Sequence, residues 1–368
     1  MRCASTRVAL APAITFRSEL KLMQVTLKSK NHDWTFAAHG GESLLQAAMR
    51  AGLHVPYECA TGTCGSCRVD LIAGELQDAW PEAPGRGDDP NARLMCQCKA
   101  VSDCEISAKG YVYSTDHLPV AADRVSGRIT DLRQLTPDVI EFTVTPDTPL
   151  RYLAGQFVTL EHADVKGPRG YSMTRHAPDG SSLSFVIKRL PGGGWSEWIF
   201  AKGDALLGSV LQIVGPFGRA TFSPDLGMNI ACIAGGSGVA GMRAIIERGV
   251  EDGYFMQYRG ALFFGVRTPK DAFWLEELDA LSGKGGNKLS ITIAYSNEGV
   301  DPAQQERFPN LGFAEGFVHE IAAAGLKGRF NNLRAYLAGP PPAVDAAQRM
   351  LLVEGKMSPA NIRYDKFS

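Results

Sequence analysis

Six of the eight cysteines of this 368-residue chain lie between Cys59 and Cys104. Cys59, Cys64 and Cys67 share one short stretch, and Cys96 follows 29 positions after Cys67. Disulfide scaffolds spread their cysteines along a small secreted chain, whereas crowding of this kind is typical of metal ligation in a reducing compartment. The cysteine pattern therefore predicts a metal site and a cytoplasmic location.

The spacing indicates the kind of metal site. C-x4-C-x2-C followed by a distant cysteine is the pattern in which four thiolates hold the two irons of a [2Fe–2S] cluster. Backbone N–H groups must approach the sulfides, and the small residues Gly62, Gly65 and Ser66 allow this. A zinc site usually pairs two C-x2-C motifs or adds a histidine pair, and neither occurs here. Cys59, Cys64 and Cys67 are therefore predicted ligands.

The fourth ligand is either Cys96 or Cys98. Residues two apart on a strand share a face, so we expect both side chains on the same side of one strand, and the pattern alone leaves the choice open. The segments 57–67, 94–99 and 102–106 resemble the N-terminal ferredoxin domain of oxygenase reductases. In plant-type ferredoxins the last ligand stands seven residues before the Asp of a Ser-Asp pair, and counting back from Asp103 gives Cys96. The resemblance thus implies that Cys98 is a small buried hydrophobe.

Changes in the pattern of predicted strands and helices divide the chain into modules. Residues 23–112 contain short alternating strands around one helix, which predicts an α+β, β-grasp ferredoxin domain. Residues 123–225 contain short alternating strands that predict an antiparallel β-barrel, and residues 226–368 alternate strands with helices, which predicts a doubly wound α/β sheet. We interpret residues 113–122 as a linker and residues 1–22 as a disordered or non-native extension.

Overall composition excludes two classes of partner. The formal net charge is −1 and the pI is near 6.7, so no polybasic surface supports nucleic-acid binding. No run approaches the roughly 18 apolar residues of a membrane span, and we expect no membrane partner.

Two motifs in the middle module point to a flavin. Residues 169–172 resemble the R-x-Y-S motif of the ferredoxin–NADP⁺ reductase superfamily. The resemblance implies that Arg169 pairs with the flavin pyrophosphate, that Tyr171 packs on the isoalloxazine and that Ser172 lies near N5. Residues 191–196 form a Gly-rich turn before a helix, which presents free N–H groups to a phosphate. This turn resembles the superfamily's pyrophosphate loop and predicts FAD-binding residues Gly193, Gly194 and Ser196, with Ser196 as the helix cap.

The last module carries a Gly-rich turn between a strand and a helix, the context that nucleotide binding requires. It resembles the superfamily's G-G-[TS]-G-[IV]-A-P motif, with Gly241 in place of the proline. Asp271, following Arg267, would repel a 2′-phosphate, so NADH is expected rather than NADPH. The segment 338–341 resembles C-G-P-P, with Ala338 replacing the cysteine. The predicted nucleotide-binding residues are Gly235, Gly236, Ser237, Gly238, Arg267, Asp271, Gly339, Pro340 and Phe367.

The order of the three modules is similar to that of NADH-dependent reductase components of bacterial multicomponent oxygenases. That resemblance implies hydride transfer from NADH to FAD and one-electron transfer through the [2Fe–2S] cluster to an oxygenase component or its intermediary ferredoxin. Residues 80–85, 96–99 and 362–367 look most like the reductase of soluble diiron toluene and alkene monooxygenases. Two alternatives remain: the reductase of a Rieske dioxygenase, and a non-catalytic redox-sensing protein.

Overall fold

In the computed structural model, residues 22–114 and 122–366 are described. The prediction for residues 1–22 falls outside them except at Leu22, and most of the predicted linker and Phe367 lie outside them as well. The described residues form three units in series, each built on its own sheet.

The first unit is a small α+β domain. Its sheet has the order β2-β1-β8-β4-β6, with β1 parallel to β8 and the other neighbours antiparallel. Ser43 begins the helix with a capping box, in which its hydroxyl accepts from Gln46 N (3.2 Å) and the Gln46 side chain accepts from Ser43 N (3.0 Å). The elements are β1 Leu22–Lys28, β2 Asp33–His39, α1 Leu44–Arg50, β3 Leu53–His54, β4 Arg68–Ala73, β5 Leu76–Asp78, β6 Ala92–Leu94, β7 Cys98–Ala100, β8 Cys104–Ala108 and β9 Tyr113–Ser114.

The second unit is one antiparallel sheet of six strands with the order β13-β12-β15-β10-β11-β14. The sheet curls so that its edge strands β13 and β14 approach each other, which gives a half-barrel around an apolar core. The elements are β10 Asp123–Thr136, β11 Val139–Pro146, β12 Phe157–His162, β13 Val165–Ser172, β14 Leu183–Lys188, α2 Gly194–Lys202 and β15 Val210–Phe217.

The third unit is a parallel sheet of order β19-β18-β17-β16-β20-β21. The strand order reverses between β16 and β20, and ligands of such sheets bind beyond the carboxyl ends of the strands at that switch point. The elements are β16 Asn229–Gly235, α3 Val239–Glu251, β17 Gly260–Val266, α4 Leu275–Gly285, β18 Leu289–Tyr295, α5 Pro302–Arg307, β19 Leu311–Glu315, α6 Val318–Leu326, β20 Leu333–Gly339, α7 Pro341–Val353 and β21 Ile362–Lys366.

The first unit packs directly on the half-barrel. Gly218 N donates to the Tyr57 hydroxyl (3.0 Å), and the Tyr57 ring lies 6.1 Å from the ring of Phe217. The Arg219 guanidinium lies 5.4 Å from the Tyr57 ring centre and donates to Val55 O (2.7 Å). Three barrel residues join the buried core of the first unit: Phe157, Val214 and Phe217. This contact fixes where the cysteine loop stands relative to β13.

Candidate active site

The four predicted ligands form two pairs of thiols. Cys67 Sγ lies 3.4 Å from Cys96 Sγ. The Cys64 thiol donates to Cys59 and lowers the pKa of Cys59. In ranges 22–114 and 122–366, no group of three or more His, Cys, Asp and Glu side chains is arranged to hold a single metal ion. Two pairs, rather than one convergent set, are the donor arrangement that a two-iron cluster needs.

The loop backbone also suits a cluster. The N–H groups of Thr61 and Cys64 both point at Cys59 Sγ (3.4 Å each). Gly62 and Gly65 hold positive φ angles of 93° and 77°, which favour glycine. A Cβ on Gly65 would stand 2.6 Å from the Gly85 carbonyl oxygen, so the 84–86 turn packs closely on the cysteine loop. These residues fit a [2Fe–2S] cluster.

Cys96 and Cys98 differ in surroundings. Cys96 lies in the turn between β6 and β7, whereas Cys98 begins β7, so the expectation that they share one strand face is wrong. The Cys98 side chain is fully buried, and burial raises its pKa to about 12. Gln97 Nε2 reaches Cys96 Sγ (3.5 Å). The structure therefore places Cys96, not Cys98, with the other three predicted ligands, and its role as ligand stays a prediction.

A cavity of about 640 Å³ opens where the three units meet. Glu58 and Cys59 of the first unit line one side. Thirteen of the predicted flavin- and nucleotide-binding residues line this cavity: Arg169, Tyr171, Ser172, Gly193, Gly194, Ser196, Gly235, Gly236, Ser237, Arg267, Asp271, Gly339 and Pro340. Gly238 is buried and does not line the cavity, and Phe367 is outside the described residues. We refer to this space as the central cavity.

The strand β13 carries Tyr171 and Ser172 into the central cavity. The Tyr171 ring packs edge-on to Trp195 at 6.2 Å, and burial raises the pKa of Tyr171, so its hydroxyl stays protonated. Ser172 is only 5% exposed, and a Cβ on Gly241 would lie 3.5 Å from its Oγ. A Cβ on Gly170 would lie 3.6 Å from the Cys59 carbonyl oxygen. A flavin on this strand would stand beside the cysteine loop.

Arg169 and α2 provide cationic and N–H donor groups for a pyrophosphate. The Arg169 guanidinium donates to the Pro168 carbonyl (2.9 Å) and forms no ion pair with a carboxylate of the described residues. The helix begins after the N-cap Gly193 without a side-chain cap, which leaves its first N–H groups free. The interpretation of Ser196 as cap is wrong. Its hydroxyl accepts from Leu190 N (3.0 Å) and so closes the Gly-rich turn instead.

The nucleotide loops lie at the switch point of the third sheet. Gly235 ends β16 and Gly236–Gly238 follow it, while Gly339 ends β20. A Cβ on Gly339 (φ 143°) would stand 2.9 Å from Gly235 O, so only glycine lets the two loops approach this closely. Beyond β17, the Asp271 carboxylate accepts from the N–H and the hydroxyl of Thr268 (3.0 Å each). These contacts hold the Asp271 carboxylate in a defined place at the rim of the central cavity.

One residue of the site, Asp365, was not predicted from the sequence. The strand β21 brings Asp365 to the central cavity, where it faces Glu58. Burial and the Glu58 charge raise the pKa of Asp365 to about 7. No local pattern marks this pair, because the two residues are 307 positions apart and meet only through the packing of the first and third units.

Comparisons with known proteins agree with this architecture. Residues 27–101 match the 2Fe-2S iron-sulfur cluster binding domain, residues 126–222 the oxidoreductase FAD-binding domain and residues 232–349 the oxidoreductase NAD-binding domain. The ferredoxin–NAD(P)⁺ reductase CarAd of Metapseudomonas resinovorans is 34% identical over 335 residues, which cover 89% of this chain and 95% of that protein. The ferredoxin–NAD⁺ reductase component of the alkene monooxygenase system of Xanthobacter autotrophicus is 30% identical over 92% of this chain and 99% of that protein.

A solved structure gives the same result. The ferredoxin reductase in carbazole 1,9a-dioxygenase superposes with a TM-score of 0.77 at 31% identity, over 95% of this chain and 99% of that one. This chain belongs to the family of ferredoxin–NAD(P)⁺ reductase components of oxygenase systems, with 2Fe–2S, FAD-binding and NAD-binding domains. Across the described ranges, none of the helices has the length and apolar character needed to span a membrane.

Replacing Cys96 with Ala is expected to abolish cluster assembly, because Cys67 would lose its paired thiol. Cys98→Ala should instead keep two irons and two sulfides per chain, with a small loss of stability from the cavity it leaves. Iron and acid-labile sulfide assays on purified variants measure this. Cluster loss in Cys98→Ala together with retention in Cys96→Ala would reverse the assignment.

The variants Ser172→Ala and Tyr171→Ala are expected to slow reduction of the flavin by NADH about tenfold or more, since each removes a contact at the flavin strand. Iron–sulfur absorbance should be unchanged, because the cysteine loop lies in another unit. Stopped-flow absorbance at the flavin band measures the rate. Thr145→Ala, which removes an exposed hydroxyl on β11, is the control, and wild-type rates in both site variants would exclude these residues from the site.

The raised pKa of Asp365 predicts a pH dependence of stability. The pKa of Asp365 is about 7 in the folded chain and 3.8 in the unfolded chain. Between these pH values the folded chain therefore binds more protons than the unfolded chain. The folded chain becomes less stable as the pH rises through this range. Asp365→Asn should therefore raise the thermal midpoint more at pH 8 than at pH 5. Thermal unfolding followed by circular dichroism tests this, and an equal shift at both pH values would contradict it.

Proposed function

We propose that this chain oxidises NADH and delivers single electrons to an oxygenase component or to its intermediary ferredoxin. The observation that carries this proposal is the central cavity, where the cysteine loop, the flavin strand and the switch-point loops meet. When bound, FAD would accept a hydride from NADH and give up the two electrons one at a time, and the [2Fe–2S] cluster would relay each electron outward. The protein contributes position and electrostatics rather than a general acid or base.

The residues of the central cavity have distinct proposed tasks. Arg169 and the first turn of α2 bind the pyrophosphate of FAD by charge and free N–H groups. Tyr171 presents its ring to the isoalloxazine, and Ser172 holds a hydroxyl at the inner end of β13, next to α3. The loop at Gly235–Ser237 binds the pyrophosphate of the nicotinamide nucleotide at the switch point. Together they orient two planar ring systems in one water-poor space.

The proposed coenzyme is NADH rather than NADPH. Asp271 is held at the rim by Thr268, and its negative charge opposes a 2′-phosphate. Arg267 is exposed nearby and would favour a 2′-phosphate, so the preference for NADH over NADPH depends on the charge of Asp271. A fixed carboxylate discriminates better than a mobile one because it cannot turn away from the repelled group.

Asp271→Asn is expected to improve the KM for NADPH about tenfold relative to that for NADH. The amide oxygen can still accept from Thr268, so the turn should stay intact while the charge is lost. Steady-state kinetics with both coenzymes measure the ratio. Lys270→Gln at the neighbouring exposed position is the control, and an unchanged NADPH/NADH ratio in Asp271→Asn would mean that the carboxylate does not select the coenzyme.

We propose a cytoplasmic reductase whose partner is a diiron aromatic or alkene monooxygenase. The similarity of residues 80–85 and 96–99 to reductases of that class supports this, and so does the 30% identity with the alkene monooxygenase reductase component. A Rieske ring-hydroxylating dioxygenase is the second candidate, favoured by the likeness to the ferredoxin reductase in carbazole 1,9a-dioxygenase. Reconstituting product formation with purified oxygenases of each class decides between them.

A full-length variant without the cluster tests the order of electron transfer. In the Cys96→Ala variant, NADH should still bleach the flavin, and the variant should reduce ferricyanide at a near wild-type rate. Its one-electron reduction of cytochrome c should be mostly lost. The full chain is used because Phe157, Val214 and Phe217 are covered by the first unit and would be exposed by truncation. Undiminished cytochrome c reduction would contradict the relay. Failure of NADH to bleach the wild-type flavin would favour the sensing alternative.

A further inference from the structure

The sulfur atoms of the predicted cluster ligands receive hydrogen bonds from two kinds of donor. At Cys59 the backbone N–H groups of Thr61 and Cys64 point at Sγ from within the cysteine loop (3.4 Å each). Cys96 stands outside this loop, in the turn between β6 and β7. The N–H group that reaches its Sγ belongs to a side chain, the amide of Gln97, at 3.5 Å. A side-chain donor depends on the identity of the residue, so a substitution at this position would remove it.

The packing of the first unit holds Gln97 in this position. Its carbonyl accepts from Ala79 N (3.0 Å), which ties its backbone to the end of β5. Its side chain lies between the cysteine loop and the indole of Trp80, since a Cβ on Gly62 would stand 3.2 Å from both the Gln97 Cγ and the Trp80 ring. Gln97 is only 4% exposed. The amide is therefore held beside Cys96 Sγ rather than free to turn toward solvent.

A donor at a ligand sulfur has a physical effect because reduction changes the charge beside it. A [2Fe–2S] cluster that accepts one electron takes one iron from the ferric to the ferrous state, without forming or breaking a bond, and becomes more negative by one charge. A hydrogen bond to a ligand sulfur therefore stabilises the reduced form more than the oxidised form and raises the reduction potential. Burial strengthens the effect, because little water is present to screen the charge.

We propose that the Gln97 amide raises the reduction potential of the cluster through its hydrogen bond to Cys96 Sγ, and so favours electron transfer from the flavin to the cluster. This rests on the proposed function, because it takes Cys96 as a cluster ligand and FAD as the electron donor. Each transfer oxidises the flavin by one electron and reduces the cluster by one. Gln97 acts through Cys96 and is a positioning residue rather than a catalytic one. It changes the driving force of the transfer and leaves the separation of the two groups unchanged.

A redox titration of the full-length holoprotein tests the proposal. The variant Gln97→Met keeps an unbranched side chain of similar length but has no donor. The equilibrium constant for one-electron reduction of its cluster should fall about tenfold, which is a potential about 59 mV more negative. Samples poised with dithionite and mediators are frozen, and electron paramagnetic resonance measures the reduced cluster. Gln77→Met, the same substitution at an exposed position on β5, is the matched control and should titrate like wild type.

The variant Gln97→Asn gives a second measurement, because its amide is one methylene shorter and should not reach Cys96 Sγ. Its potential should shift in the same direction, with iron, sulfide and the flavin potential at wild-type values. An unchanged cluster potential in both Gln97 variants, or an equal shift in Gln77→Met, would overturn the proposal. Loss of the cluster from both Gln97 variants would assign Gln97 to cluster assembly and would equally overturn it. Dithionite supplies electrons without NADH, so a wild-type cluster that dithionite reduces and NADH does not would overturn the proposed function alone.

Discussion

The contact between the cysteine loop and β13 sets the distance over which electrons must pass. Electron transfer depends on the separation of the two bound groups, and here the protein fixes it through close backbone approach and the side chains packed around Tyr57. A Cβ on Gly170 would be in van der Waals contact with the Cys59 carbonyl oxygen, so β13 and the cysteine loop lie side by side, and Tyr57 anchors the loop to Gly218. Because both contacts lie within a few residues of predicted cofactor ligands, a small shift of the first unit would change both cofactor sites together.

Polar contacts orient the third unit on the half-barrel. Arg243 is 1% exposed, lies 4.4 Å from the centre of the Trp274 ring and stands 3.5 Å from Glu141 of the half-barrel. Arg133 joins Glu141 to Glu277 at 2.8 Å each. The Arg243–Glu141 pair is buried, and breaking a buried ion pair is costly even though the pair adds little net stability, so it favours one orientation of the two units over others. The Arg133 bridges contribute less, because the Arg133 side chain is half exposed.

The sequence predicted the parts of the site that are local in the chain. Cys59, Cys64 and Cys67 lie in one loop, and Gly235, Gly236 and Ser237 lie together at the end of one strand, so spacing along the chain was enough to predict that these residues are neighbours. Their roles as ligands stay predictions. Two predictions were wrong because the local backbone differs from the element that was expected. Cys96 lies in a turn rather than a strand, and the Ser196 hydroxyl closes the Gly-rich turn instead of capping the helix. The pairing of Glu58 with Asp365 had no local signal, because it depends on the docking of separate units.

The interfaces between units therefore carry chemistry that no single unit contains. The first unit alone has the thiols, and the half-barrel alone has Arg169 and the start of α2, but the central cavity, lined by residues of all three units, exists only when the units are docked. A ligand that spans such an interface stabilises the docked arrangement over the separated one by its differential affinity. A flavin bound in the central cavity, which Cys59 and Tyr171 both line, would thus hold the cysteine loop beside β13. The cofactor that receives electrons from NADH would in this way also stabilise the geometry through which they leave.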